Sequence, residues 1–199
     1  KTGNLIINDL EWRDPLCDAF IRGANSVGIP LNSDYNGAKQ EGVSYVQRTT
    51  HKRRRVSAAR AFLNPARKRS NLEIITNAHV TKIILEKKRA VGVIFKKGSQ
   101  SSTSLELRAN KEVILSGGAI NSPQLLQLSG IGPAELLKRY NVEVLHELPG
   151  VGQNLRDHYA PRFTARVKNI STINESGRGP RLWGEIAKYL IGAKSIVNL

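Results

Sequence analysis

Residues 111–132, KEVILSGGAINSPQLLQLSGIG, constrain the fold more than any other stretch of this chain. Val113, Ile114 and Leu115 are a short apolar run bounded by turn residues, which predicts a buried strand. Ser116, Gly117, Gly118 and Ala119 put no bulk in the way, so the backbone can turn tightly after it. Ser122 and Pro123 predict the N-cap and first position of a helix whose apolar face is Leu125, Leu126 and Leu128. A strand, a small-residue turn and a helix N-terminus in succession make a place where a flat or phosphorylated ligand can approach the main chain.

Other elements read along the chain in the same way. Asp14 and Pro15 predict the cap and first turn of a helix that carries Leu16, Ala19, Phe20, Ala24 and Val27 at helical spacing and ends at Gly28. Residues 32–42 are polar and glycine-bearing, hence a loop. A short strand is expected at 44–47, and Ser57 caps a helix reaching about Leu63. Then comes a β-rich stretch, with strands at 73–76, 80–86, 90–96 and 103–108 and turns at 87–89 and 98–101. Val91, Val93 and Phe95 share one face of the central hairpin. Residues 111–116 read as a parallel-type strand, Pro133 opens a helix through Tyr140, and 142–145 form a short strand. Residues 162–167 alternate like a strand, 171–180 read as a loop, and 182–191 as an amphipathic helix. No internal repeat is visible.

Composition excludes several classes. No run approaches eighteen apolar residues, which argues against a transmembrane helix, and no signal peptide is visible. Cys17 is the single cysteine among 199 residues, so no internal disulfide is available, and its neighbours place it on a helix face as a plain thiol. Asn169-Ile170-Ser171 and Asn174-Glu175-Ser176 match the glycosylation acceptor pattern, a match frequent by chance. The formal charge is +15, concentrated at 51–55, 67–69 and 87–89. A nucleic-acid surface needs such residues beside aromatic stacking partners. Aromatics make up only 6% of the chain and do not interleave with these clusters, so solvated loop charge is the preferred reading. No spacing of His, Cys, Asp or Glu suggests a metal site, and no GxSxG nucleophile motif is present. His51, His79 and His146 read as structural residues.

Gly118-Ala119-x-x-Ser122-Pro123-x-Leu125-Leu126-x-x-Ser129-Gly130-Ile131-Gly132 resembles the second signature of the glucose–methanol–choline (GMC) oxidoreductases. The likeness continues through Asp34-Tyr35-Asn36-Gly37, Arg55-x-Ser57-Ala58-x-x-Ala61-Phe62-Leu63, Asn71-Leu72-x-Ile74-x-Thr76-x-Ala78-x-Val80, and Pro149-Gly150-Val151-Gly152-x-Asn154-Leu155-x-Asp157-His158. The resemblance implies a mixed α/β chain: part of a Rossmann-like FAD-binding domain interleaved with part of a substrate-binding domain. The implied divisions are 1–70 on the substrate side, 71–159 in the FAD domain, and 160–199 at the start of the substrate domain. Similar proteins begin with a GxGxxG unit and end with a catalytic His and a His or Asn partner. Neither has a counterpart here, and the chain begins at Lys1 with no Met, so it reads as an internal fragment, catalytically silent alone.

The resemblance assigns cofactor contacts rather than catalytic residues. Val80 would meet the FAD adenine through its main chain, with a core valine as the plainer alternative. Ser116, Gly117 and Gly118 would lie against the cofactor, relatives usually having Ala where Gly117 stands. Asn154, Asp157 and His158 would form the loop near the flavin, although Asn154 and Asp157 serve equally well as turn residues. His158 is not assigned as the base. The implied reaction moves a hydride from an alcohol CH–OH to flavin, giving an aldehyde or ketone, in the manner of choline dehydrogenase-like members. Oxygen or a quinone-type acceptor would take the electrons, and the location would be cytoplasmic or membrane-peripheral. The alternatives are a scaffold that has lost catalysis and a basic nucleic-acid-binding module.

Overall fold

The computed structural model describes residues 3–52, 54–98 and 103–198. In chain order the elements are α1 (Pro15–Ser26), β1 (Thr50–His51), β2 (Arg54–Arg55), a π-helical turn (Ala59–Leu63) running into α2 (Asn64–Ala66), β3 (Ala78–Glu86), β4 (Arg89–Lys97) and β5 (Ser104–Arg108). There follow α3 (Gly118–Leu128), β6 (Ile131–Gly132), α4 (Ala134–Arg139), β7 (His146–Glu147), α5 (Ile173–Ser176), α6 (Gly179–Leu190) and a terminal 3-10 turn (Ile196–Asn198). Residue contacts divide them into two units. One holds the described residues up to Leu72 together with those from Phe163 onward; the other is Glu73–Arg162.

In the first unit, α1 starts where the sequence says it must. The Asp14 carboxylate accepts the N–H groups of Leu16 and Cys17, Pro15 occupies the first turn, and Gly28 follows the helix at φ +91°. The Cys17 thiol is pushed up by burial first and then by Asp14 and Asp18, the setting of an inert thiol. The Ser57 hydroxyl accepts the Arg60 N–H, as expected of a cap, but the helical turn runs on through Pro65 to Ala66. Val56 and Ala61 are the buried apolar residues of this unit.

The second unit is built on an antiparallel sheet ordered β3–β4–β5. Lys87 and Lys88, both at positive φ, close its hairpin. Val80 pairs with Phe95 and Lys82 with Ile94, so Thr81 is an extra residue and the edge strand bulges just after Val80. Ile83 and Phe95 form the core of this sheet, and α3 packs against β3. Beyond α3, β6 and β7 pair in parallel, and Leu137 and Val151 are buried beneath them. Gly130, at φ +82°, makes this possible, because a Cβ there would lie 2.5 Å from the Glu143 carbonyl.

Several expected elements are different in the structure. Residues 73–76, 111–116 and 162–167 are not strands, and 44–47 contributes only its flanks to isolated bridges, Leu31 with Val43 and Asn8 with Arg48. A strand is defined by its neighbour, and none of these segments has a ladder partner among the described residues; Ile114 is 76% exposed. The strand expected at 142–145 forms instead at His146–Glu147, where the Gly132 side of β6 is within reach. Residues 173–176, read as loop, are helical because Thr172 and Glu175 make a capping box. The expected turn at 98–101 lies outside the described residues from 99 onward.

Candidate functional site

Helix α3 begins at Gly118, five residues before the predicted first position, Pro123. Ser122 is nonetheless a capping group of a kind. Its hydroxyl reaches back to accept the Gly117 N–H at 3.0 Å, pinning the turn onto the helix it precedes. Pro123 therefore sits inside α3, where it removes one intrahelical hydrogen bond near the N-terminus and leaves the rest of the helix intact. Gly118 takes φ +86°, a conformation costly for any residue with a Cβ, so the turn depends on glycine here. No side chain of the capping residue Gly117 covers the first-turn N–H groups, which remain available as donors.

Between this turn and the sheet lies an open cleft of about 590 Å³. One wall is the start of β3 (Ala78, His79 and Val80) with Val93 of β4; the other is 113–117 and the Ser122, Leu125 and Leu128 side of α3. The walls are mostly apolar; Ser116, Asn121 and Ser122 put polar groups beside the helix N-terminus, and His79 and Gln124 add two more to the lining. Such a slot suits a flat, apolar ring with a hydrogen-bonding edge.

The structure thus brings Val80, Ser116 and Gly117 together on one cleft, with Gly118 next in the chain. It does not bring Asn154, Asp157 and His158 to it. Asn154 holds a left-handed turn at φ +57°, and the side chains of Asp157 and His158 are fully exposed. The Asp157 carboxylate accepts the N–H of the next residue, His158, at 2.7 Å, the local turn bond expected of an Asp in this setting.

Two positioning side chains were not singled out from the sequence. Ser129 is wholly buried; its hydroxyl accepts the Ile83 N–H at 2.8 Å and donates to the Leu125 carbonyl, tying the end of α3 to β3. Gln127 donates its side-chain amide to the Val151 carbonyl at 3.1 Å, and lies where a Cβ on Gly152 or Gly132 would collide with it. Their spacing in LLQLSG carried the signal: both project from the last turn of α3, between the cleft and the Pro149–Gly152 loop. No group of three or more His, Cys, Asp or Glu able to hold a metal ion occurs among the described residues.

Comparison with known proteins gives consistent relatives. The GMC oxidoreductase family model matches residues 2–160. An oxygen-dependent choline dehydrogenase of Pseudomonas syringae pv. tomato is 51% identical over 146 residues, 73% of this chain and 26% of that protein. The protein of the same name from Brucella anthropi is 47% identical over 156 residues, 78% of this chain and 28% of its own. The chain therefore spans about a quarter of the length of these curated relatives. Among solved structures, an FAD-dependent oxidoreductase from Chaetomium thermophilum superposes with TM-score 0.88 at 26% identity, covering 100% of this chain and 35% of that one. A pyridoxine 4-oxidase superposes with TM-score 0.69 at 35% identity, covering 75% of this chain and 29% of its own.

Proposed function

The chain belongs to the GMC oxidoreductase family, and on that premise we propose that the full-length protein is an FAD-dependent oxidoreductase acting on the CH–OH group of alcohols. The observation that carries this reading is the cleft shared by Val80, Ser116 and Gly117 at the donor-bearing start of α3. Its residues fit FAD on chemical grounds. Val80, Val93, Leu125 and Leu128 offer apolar faces to a flat ring such as adenine, while Ser116 and the uncapped N–H groups offer polar contacts at its edge. Bound FAD would supply a two-electron acceptor for the hydride leaving the alcohol carbon.

The chain's own residues then hold and shield the cofactor. The apolar walls would keep water from the face of a ring lying against them. Gly117 and Gly118 allow close approach of the main chain, and Ser122 holds the Gly117 N–H so that the turn keeps its shape. We assign Asn154, Asp157 and His158 to the flavin-side loop on the family pattern; Gln127 anchors the start of that loop through Val151. The base that takes the alcohol proton is assigned to none of these residues.

The curated relatives support a choline-like amino alcohol as substrate and oxygen as one electron acceptor, a quinone-type acceptor being the alternative. No helix among the described residues is long and apolar enough to cross a membrane; the cytoplasmic or membrane-peripheral location proposed for the enzyme rests on the family resemblance. The test is to purify the full-length protein and ask whether it carries FAD and oxidises choline or simpler primary alcohols. Flavin-free protein with no alcohol oxidation would refute the proposal.

A further inference from the structure

Helix α3 meets two neighbours with two different sides. Ser122, Leu125 and Leu128 line the cleft, whereas Gln127, about 100° round the helix from Leu128, is not part of its lining. The Gln127 carboxamide donates instead to the Val151 carbonyl at 3.1 Å. Two glycines leave the space for it. A Cβ on Gly132 would lie 3.1 Å from the Gln127 Cγ, and a Cβ on Gly152 2.7 Å from its Nε2. The loop it holds has its own internal bonds. The Leu148 N–H donates to the Gly132 carbonyl, the Val151 N–H to the Leu148 carbonyl and the Gln153 N–H to the Gly150 carbonyl, and the Val151 side chain is buried. Gly152 at φ +82° and Asn154 at φ +57° then turn the chain toward Asp157 and His158.

We propose that Gln127 is a positioning residue for the flavin: through Val151 it sets where residues 154–158 leave the turn relative to the cleft. One helix then fixes both ends of the cofactor, the adenine slot with one side and the flavin-side loop with another. This rests on the assignment of residues 154–158 to the flavin side in the proposed function. The donor is the part of Gln127 that matters. Methionine fills a similar length and volume but has no N–H for the Val151 carbonyl. Without that bond the loop shifts against the ring, which changes the polar contacts that tune a flavin and leaves the grip on the adenine as it was.

The experiment compares the full-length parent with Gln127→Met, Gly152→Ala, the double variant, and Glu185→Gln as a destabilised control in the other unit. Two readouts are taken: amide hydrogen exchange over 148–158 in flavin-free protein, and the visible bands and reduction potential of the flavin in loaded protein. Gln127→Met should keep its FAD content, exchange faster over 148–153, displace the flavin bands and lower the potential. Its flavin should bleach on mixing with choline more slowly by on the order of tenfold. Gly152→Ala should do the same, because its Cβ evicts the Gln127 amide, and the double variant should be no worse than Gly152→Ala alone, since both break one contact. Glu185→Gln should leave exchange over 148–158 and the flavin bands unmoved. Unchanged exchange in Gln127→Met, or faster exchange with the flavin bands and potential of the parent, would overturn the proposal while leaving the enzymatic reading intact. A parent that holds no flavin would overturn both, and its empty visible spectrum tells that failure from the other.

Discussion

The Ser129 hydroxyl stands 2.8 Å from the Ile83 N–H it accepts, and the same oxygen donates to the Leu125 carbonyl. This one atom joins the outer edge of β3 to the last turn of α3, the two elements that wall the cleft. Its removal leaves a buried backbone N–H without a partner, which costs about 1–3 kcal/mol. Ser129→Ala is therefore expected to lower the unfolding free energy by that amount, read as a lower denaturant midpoint with the slope unchanged. A variant as stable as the parent would show that the edge of β3 is held by something else.

Gly117 and Gly118 are adjacent but not equivalent. Gly117 lies at φ −78°, which alanine adopts freely, though a Cβ would come within 3.2 Å of Asn121. Gly118 lies at φ +86° in open space, so a Cβ is unhindered but the backbone conformation is not. Gly118→Ala should cost about 1–2 kcal/mol, and Gly117→Ala less than about 1 kcal/mol. Thermal unfolding of the two variants side by side decides it; the reverse order would mean that packing around Asn121 outweighs backbone strain.

Gln127 holds the Pro149–Gly152 turn through the Val151 carbonyl. Gln127→Ala should cost about 1 kcal/mol and open residues 149–158 to protease, while Gln127→Glu, which has no donor for that carbonyl, should behave alike. Limited proteolysis followed by mass spectrometry reads the cleavage sites. An unchanged pattern would deny Gln127 its anchoring role.

Glu185 is only 14% exposed on its side chain, and accepts from Lys188 and from the Ile196 N–H. The Lys188 hydrogen bond first, and the Ile196 amide next, hold its carboxyl below the ordinary carboxylate value. A depressed folded value means stabilisation that is complete above the unfolded value and lost as pH falls through the folded one. The parent should thus exceed Glu185→Gln in stability at pH 7, and the gap should close below the carboxylate range. A gap independent of pH would show that packing, not charge, is at work.

Local chemistry made much of this fold legible in the sequence. Asp14, Pro15 and Gly28 delimit α1 because each acts on its own backbone, and the β3–β4 hairpin follows from alternation around a short turn. Elements that depend on a distant partner were not legible. Ile114 and its neighbours have strand-like side chains, yet pairing comes from another strand and none is present among the described residues. The start of α3 was misplaced because Ser122 satisfies an amide five residues back instead of capping forward. At the candidate site, Val80, Ser116 and Gly117, which the motif offers as cofactor contacts, line one cleft. The exposure of Asp157 and His158 was not readable, since nothing in PGVGQNLRDH says which face of the loop is covered.

The most direct test of the central claim is anaerobic mixing of the full-length protein with choline while the absorbance of its bound flavin is followed. The account predicts stoichiometric FAD whose oxidised bands bleach on mixing, with a matching yield of aldehyde. Flavin that stays oxidised with choline and with simpler alcohols, or protein that binds no FAD at all, would contradict it.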